Sequence, residues 1–195
     1  MKIVFIFACL FSMALTLAGC ASTDSGVSRP SVSNAEMQKR IQAVAKTDHI
    51  IVPGQRVGPI RLGMAWDEVI ATLGKPDWSY INDGDRTKND TEMDYNSLDM
   101  EIRFDSTPTP AVTSIRILAH ASVEKTFGEL VWSDFDPVNN VFQTAQGIGL
   151  GTSSFQAARI YGTYKYSSFI NMDYPSLGLY FTVTKDHRIW SITVR

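Results

Sequence analysis

Two short runs hold the side chains best suited to chemistry or contact: Asp94-Tyr95-Asn96-Ser97 and Asp173-Tyr174-Pro175-Ser176. Each places a carboxylate, a phenol and a hydroxyl within one short stretch. Such a set could bond the polar groups of a partner, with Tyr180 and the neighbouring Tyr164, Tyr166, Trp78 and Trp190 adding aromatic contact area. It could equally close a strand-turn-strand corner, where Asp and Ser bond local backbone and the tyrosine caps a core. Asp94, Tyr95, Ser97, Asp173, Tyr174, Ser176 and Tyr180 form the candidate binding face. Catalytic patterns are missing. His49, His120 and His187 lie in separate segments without a second ligand at helical spacing. The chain has no GxSxG elbow, and Thr152-Ser153-Ser154 reads as a helix cap. Gly147, Gly149 and Gly151 imitate a phosphate loop but lack the Walker lysine and a strand-helix-strand setting. Asp83, Asp85, Asp90 and Glu92 make an acidic loop whose spacing is not that of an EF-hand. No catalytic residue, metal site or cofactor is expected, and the chain reads as a non-enzyme.

Cys20 is a different kind of reactive residue. Lys2 precedes an apolar run, Ile3 to Leu17, of about 15 residues, which is short for a bilayer span. The run ends in Leu17-Ala18-Gly19-Cys20, which resembles the lipobox of bacterial lipoproteins. The resemblance implies cleavage of residues 1–19 and lipidation of Cys20, so the membrane is an expected partner. Acyl chains contribute about 0.8 kcal/mol per buried CH₂, so two or three anchor stably. Cys9 falls in the removed segment, leaving no second thiol for a disulfide. Ala21 after the cysteine resembles the outer-membrane sorting pattern, with the domain facing the periplasm. The net charge of −2 and the lack of a basic patch argue against nucleic acid as a partner.

The elements that must position these groups follow from spacing. Residues 20–33 are small and polar and read as a flexible tether. Ser33 and Glu36 form a capping-box pattern, and Met37, Ile41 and Val44 follow at helical spacing, predicting a helix over about 34–46, within a segment 34–48. It either packs on the domain or docks a partner. Beyond it the chain repeats itself. Ile60-Arg61-Leu62-Gly63 answers Ile148-Gly149-Leu150-Gly151, and the same offset links Gly74 to Gly162. A helix lies between each glycine pair. The second has Ser153 and Gln156 in capping-box positions, whereas Ala65 supplies no capping oxygen to the first, whose N-terminus should fray more. Met93-Asp94-Tyr95 to Leu98 answers Met172-Asp173-Tyr174 to Leu177, and Ile115 and Ile117 answer Ile192 and Val194. Leu98, Met100, Ile102 and Phe104 alternate with polar residues, as do Leu177, Leu179, Phe181 and Val183, predicting antiparallel strands with one buried face. The fold class is therefore α+β: two tandem helix-plus-antiparallel-sheet repeats sharing one sheet, with the helices on one face. The first spans 49–118, a connector 119–146 with a strand near Val141 to Thr144, and the second 147–195. One unit of about 60 residues would be marginal alone.

The run Ile60-Arg61-Leu62-Gly63-Met64, Glu68-Val69, Leu73-Gly74-Lys75-Pro76 resembles the opening motif of the BamE/SmpA lipoproteins. The same motif is similar to that of the tandem-repeat β-lactamase inhibitory protein. The resemblance implies a protein-binding module on the outer membrane, acting with an envelope protein in assembly or maintenance. The inhibitor branch implies an alternative, inhibition of a periplasmic hydrolase such as a β-lactamase or protease. A small-ligand binding protein is a further alternative, which would need a deep pocket with converging polar groups. The sequence sets no oligomeric state.

Overall fold

A computed structural model describes residues 33–80, 91–126, 128–136, 141–168 and 170–195. The expected leader, Cys20, the expected tether up to residue 32 and the acidic side chains Asp83, Asp85 and Asp90 lie outside the described residues. The fold class is α+β, mostly strands. Helix α1 (Asn34–Thr47) is followed by β1 (Ile50–Val52), β2 (Arg56–Val57), β3 (Ile60–Arg61), α2 (Trp66–Leu73), β4 (Trp78–Tyr80), β5 (Thr91–Tyr95), a 3-10 turn (Asn96–Leu98), β6 (Met100–Phe104) and β7 (Val112–Leu118). Then come β8 (His120–Ala121), β9 (Phe135–Asp136), β10 (Gln143–Thr144), α3 (Ser154–Tyr161), β11 (Lys165–Ser168), β12 (Asn171–Tyr174), a second 3-10 turn (Pro175–Leu177), β13 (Leu179–Val183) and β14 (Ile189–Val194).

Eight strands form one antiparallel sheet in the order β11-β12-β13-β14-β7-β6-β5-β4. Its centre is the pairing of β14 with β7, where Ile192 faces Ile117 and Val194 faces Ile115. Directly opposed residues share a face. One row therefore runs Met172, Phe181, Ile192, Ile117, Met100, Tyr95 across six strands, and every member is buried. The helices cover this face. Trp66 of α2 sits 4.8 Å from Phe104, and Tyr161 of α3 sits 5.6 Å from Tyr174 and 6.2 Å from Phe181.

The same backbone bonds occur on both sides of the centre. Gly63 N–H donates to Val112 O at 2.8 Å, and Gly151 N–H to Ile189 O at 2.7 Å. Val112 N–H donates to Met64 O, and Ile189 N–H to Thr152 O, both at 2.9 Å. Leu118 N–H reaches Asp99 O at 2.9 Å, and Arg195 N–H reaches Gly178 O at 3.1 Å. Asp99 and Gly178 both take the left-handed conformation after their 3-10 turns, φ 50° and 60°. At Gly178 the glycine is required on a second ground, since a Cβ there would lie 2.4 Å from Arg195 O.

A smaller sheet, β10-β1-β2-β3, ties the two halves together, because β10 pairs parallel with β1. The strand expected near Val141 to Thr144 is thus β10, and the expected connector also carries the β8–β9 hairpin. Helix α1 occurs where its spacing puts it and lies against the first 3-10 turn, with Val44 buried. It packs on the domain.

The helix N-termini correct one expectation. Ser153 makes no side-chain cap bond to α3. Ala65 cannot cap α2, yet its N–H donates to Glu68 Oε2 at 2.9 Å. Both first turns are also held from outside, Trp66 N–H by Pro110 O at 3.2 Å and Ser154 N–H by His187 O at 2.9 Å. Backbone acceptors beyond the helix, invisible in a local pattern, thus hold one first-turn N–H at each end.

Candidate functional site

The seven candidate face residues fall on different sides of the sheet. Asp94 and Tyr95 are consecutive in β5, as Asp173 and Tyr174 are in β12, so each pair points to opposite faces. Tyr95 is 0% and Tyr174 2% exposed, both on the helix-covered side. Ser97 is also 0% exposed. These three are corrected from binding candidates to core residues, in line with the corner alternative. Asp94, Asp173 and Tyr180 lie on the opposite side, Asp173 directly opposite Tyr180 but Asp94 four strands away from it, and Ser176 is exposed on the second 3-10 turn.

That opposite side is an open polar face. Its central row runs Asp173, Tyr180, Thr193, Arg116, Glu101, Asp94. Arg103 Nε lies 2.7 Å from Glu101 Oε1 and 3.1 Å from Glu92 Oε2. Arg116 donates from Nε to Ser191 Oγ at 2.8 Å and lies 3.7 Å from Glu101 Oε2. Partly exposed pairs of this kind contribute at most about 1 kcal/mol each, so they orient side chains more than they stabilise the fold. The Arg195 guanidinium lies 3.9 Å from the centre of the Tyr180 ring, beside a depression of about 220 Å³ that includes Asp173, Asn171 and Thr193. At one end Trp190 approaches Arg116 at 5.5 Å and stacks on Phe135 at 5.2 Å, so the 119–146 stretch contributes aromatic cover there.

The other side of the sheet holds a cluster that sequence spacing did not single out. Arg40 of α1 is 6% exposed. Its Nη1 donates to Asp77 Oδ1 at 3.2 Å, to Asp77 Oδ2 at 3.3 Å and to Ser97 Oγ at 3.0 Å. Its Nε donates to Leu73 O at 3.0 Å and Nη2 to Lys75 O at 2.6 Å. The guanidinium also lies 4.8 Å from the Tyr95 ring centre. One side chain thus satisfies carbonyls at the end of α2, a buried carboxylate and the first 3-10 turn. The missed signal is that Arg40 sits on the stripe of Met37, Ile41 and Val44, at i+3 from the first. A charge on an apolar stripe needs a buried partner.

The corresponding tyrosines differ in how their hydroxyls are satisfied. Tyr95 Oη donates to Gly74 O at 2.9 Å, whereas Tyr174 Oη is buried with no hydrogen-bond partner among the described residues. Burial, with Tyr164 and Tyr161 close by, pushes the Tyr174 phenol up to about 12. Burial raises Tyr95 too, partly offset by Arg40.

The remaining groups do not converge. His187 packs its ring 4.7 Å from Phe155, far in sequence from His49 in the approach to β1 and His120 in β8. Among the described residues no three His, Cys, Asp or Glu side chains could hold a metal ion together, and no helix is long and apolar enough to cross a membrane. A groove of about 440 Å³ beside Trp66, Pro108 and Pro110 is mainly apolar and has one carboxylate, Asp67, on its rim. No protein-family model, no curated protein and no solved structure matches this chain.

Proposed function

We propose that this chain is an outer-membrane-anchored, periplasm-facing lipoprotein that binds another envelope protein and catalyses no reaction. In this reading Cys20 carries the lipid and the open polar sheet face meets the partner. The chain is built from two tandem units of the BamE/β-lactamase inhibitory protein type. The observation that carries the reading is the face itself: a row across adjacent strands that holds carboxylates, one guanidinium and an aromatic ring, with two shallow depressions of about 220 and 50 Å³ among the described residues. A surface of both charge signs suits a partner of complementary pattern, where rim charges set orientation and encounter rate. The tandem reading is supported by the backbone bonds that recur at matching positions on either side of the β7–β14 pairing.

The test is site-specific photo-crosslinking in the native cell from Tyr180, Thr193 and Asp94. A discrete protein adduct is expected, lost on the charge reversals Glu101→Arg and Arg116→Glu. Membrane attachment should vanish with Cys20→Ser. Crosslinkers at all three positions that yield no discrete adduct would refute the binding face.

A further inference from the structure

Two tyrosines touch through their hydroxyls where the chain leaves α3 and enters β11. Tyr164 Oη and Tyr166 Oη lie 2.5 Å apart, and either can donate to the other. Their ring centres are 4.7 Å apart and the ring planes cross at 69°. Residues i and i+2 of an extended segment share a side, which places both rings on one side of the outermost strand of the large sheet. Close ring centres and still closer oxygens bring a carbon ortho to each oxygen into proximity. The separation is near that of two phenol rings joined directly at those carbons. Tyr166 is 70% exposed, and Tyr164 is partly buried with its ring centre 5.8 Å from that of Tyr174. The other described phenols are arranged differently. Tyr95 Oη donates to a backbone carbonyl and Tyr161 Oη to Thr144 Oγ1. Tyr174 Oη has no partner among the described residues, and the Tyr180 ring lies against the Arg195 guanidinium.

We infer that Tyr164 and Tyr166 form an oxidative modification site, which a one-electron oxidant of the ferryl-haem class, generated from hydrogen peroxide, closes to an intramolecular dityrosine. Such a link would form whatever the sheet face binds. Each phenol gives up one electron and its O–H proton. Each radical holds spin on the carbons ortho to oxygen, and a Cε–Cε bond forms between the rings. The hydrogens on those two carbons then shift to the oxygens, which restores both rings and both hydroxyls. Two electrons and two protons leave in total, and they reduce one hydrogen peroxide to two waters. Two features select this pair. A phenol releases its proton as it is oxidised, and here a second hydroxyl stands ready to accept and relay it. The rings are also already in place, so coupling needs no encounter. Tyr174, next to Tyr164, is 2% exposed and its hydroxyl has no acceptor among the described residues. The new bond would staple the segment that leaves α3 to the start of β11, an edge strand whose pairing with β12 shifts register between Lys165 and Ser168.

The probe is a haem peroxidase with limiting hydrogen peroxide, added to the dilute full-length protein in detergent. Dityrosine fluorescence should appear in protein that still runs as a monomer on a denaturing gel. Lys165 lies between the two tyrosines, so trypsin gives a direct readout. Digestion of the denatured product should leave fragments 160–165 and 166–185 joined and short of two hydrogen atoms. If the link shields Lys165, the uncut fragment 160–185 has the same mass deficit. Tyr166→Phe, at an exposed position, should lower the monomer fluorescence at least about tenfold, because the remaining phenols lack a pre-formed pair. Tyr164→Phe should do the same. Tyr161→Phe should leave the fluorescence unchanged, although Tyr161 lies in the same tryptic fragment as Tyr164. The site is overturned if Tyr166→Phe retains the fluorescence, or if the joined fragments are linked through Tyr161 or Tyr174. It is also overturned if the product is only chain-to-chain dimer, or if no dityrosine forms while free tyrosine couples under the same conditions.

Discussion

Replacing Arg40 with alanine should unseat α1, and the cost can be worked from its contacts. The side chains of Arg40 and Asp77 are 4% and 8% exposed. Removing one partner of a buried pair strands the other charge and typically costs about 3–5 kcal/mol. The lost bonds to Leu73 O, Lys75 O and Ser97 Oγ involve a charged donor, about 1.5–3 kcal/mol each in isolation, but they share one guanidinium and do not add. A ceiling exists, since α1 can leave and let water reach Asp77. The total cost then equals the free energy that holds α1 down. A loss near about 3 kcal/mol is expected, which for a domain of this size lowers Tm by roughly 6–12 °C. Urea unfolding followed by tryptophan fluorescence measures the loss. Amide exchange tells whether residues 34–47 open before the sheet does. Arg40→Met combined with Asp77→Leu should be at least about 1 kcal/mol more stable than Arg40→Met alone, because no buried charge is left unpaired. A loss below about 1 kcal/mol for Arg40→Ala, with α1 still protected, would refute the reasoning.

Two further outcomes follow from single residues. Gly178→Ala should destabilise by at least about 2 kcal/mol more than Gly147→Ala in thermal melts, because both positions have positive φ but only Gly178 also meets backbone, Arg195 O at 2.4 Å and Gly54 Cα at 2.7 Å. The Tyr174 phenol titrates near 10 when unfolded and at about 12 when folded. Its contribution to stability is therefore fully present below pH 10 and is lost as pH rises toward about 12. Unfolding midpoints measured across that window should fall, less steeply for Tyr174→Phe, and an unchanged slope in the variant would sink the assignment.

Much of this architecture could be read from periodicity. The α1 stripe, the alternation in β6 and β13 and the matching glycines are local patterns, and local patterns survive into the fold. Burial of a particular tyrosine is not local in the same way, although one part of it was readable. Asp94 and Tyr95 are neighbours in a strand and could never have shared a face. The role of Arg40 is not legible in the sequence, because helical spacing records which side faces inward, not whether a carboxylate awaits it there. The Ser153 cap failed for a related reason: its helix end is held by His187 O, a group that arrives from far along the chain. The pairing of β10 with β1 likewise joins residues distant in sequence, and no short window contains it.

The strand at the middle of the eight-stranded sheet, β14, also follows every other strand of that sheet along the chain. Until it emerges, β7 presents a raw edge and each half waits beside an empty slot. A nascent product cut short before Ile189 would therefore lose its keystone, not a fringe, and would be left to proteases. The two sides of the sheet become one cooperative unit only when β14 has paired with both β13 and β7.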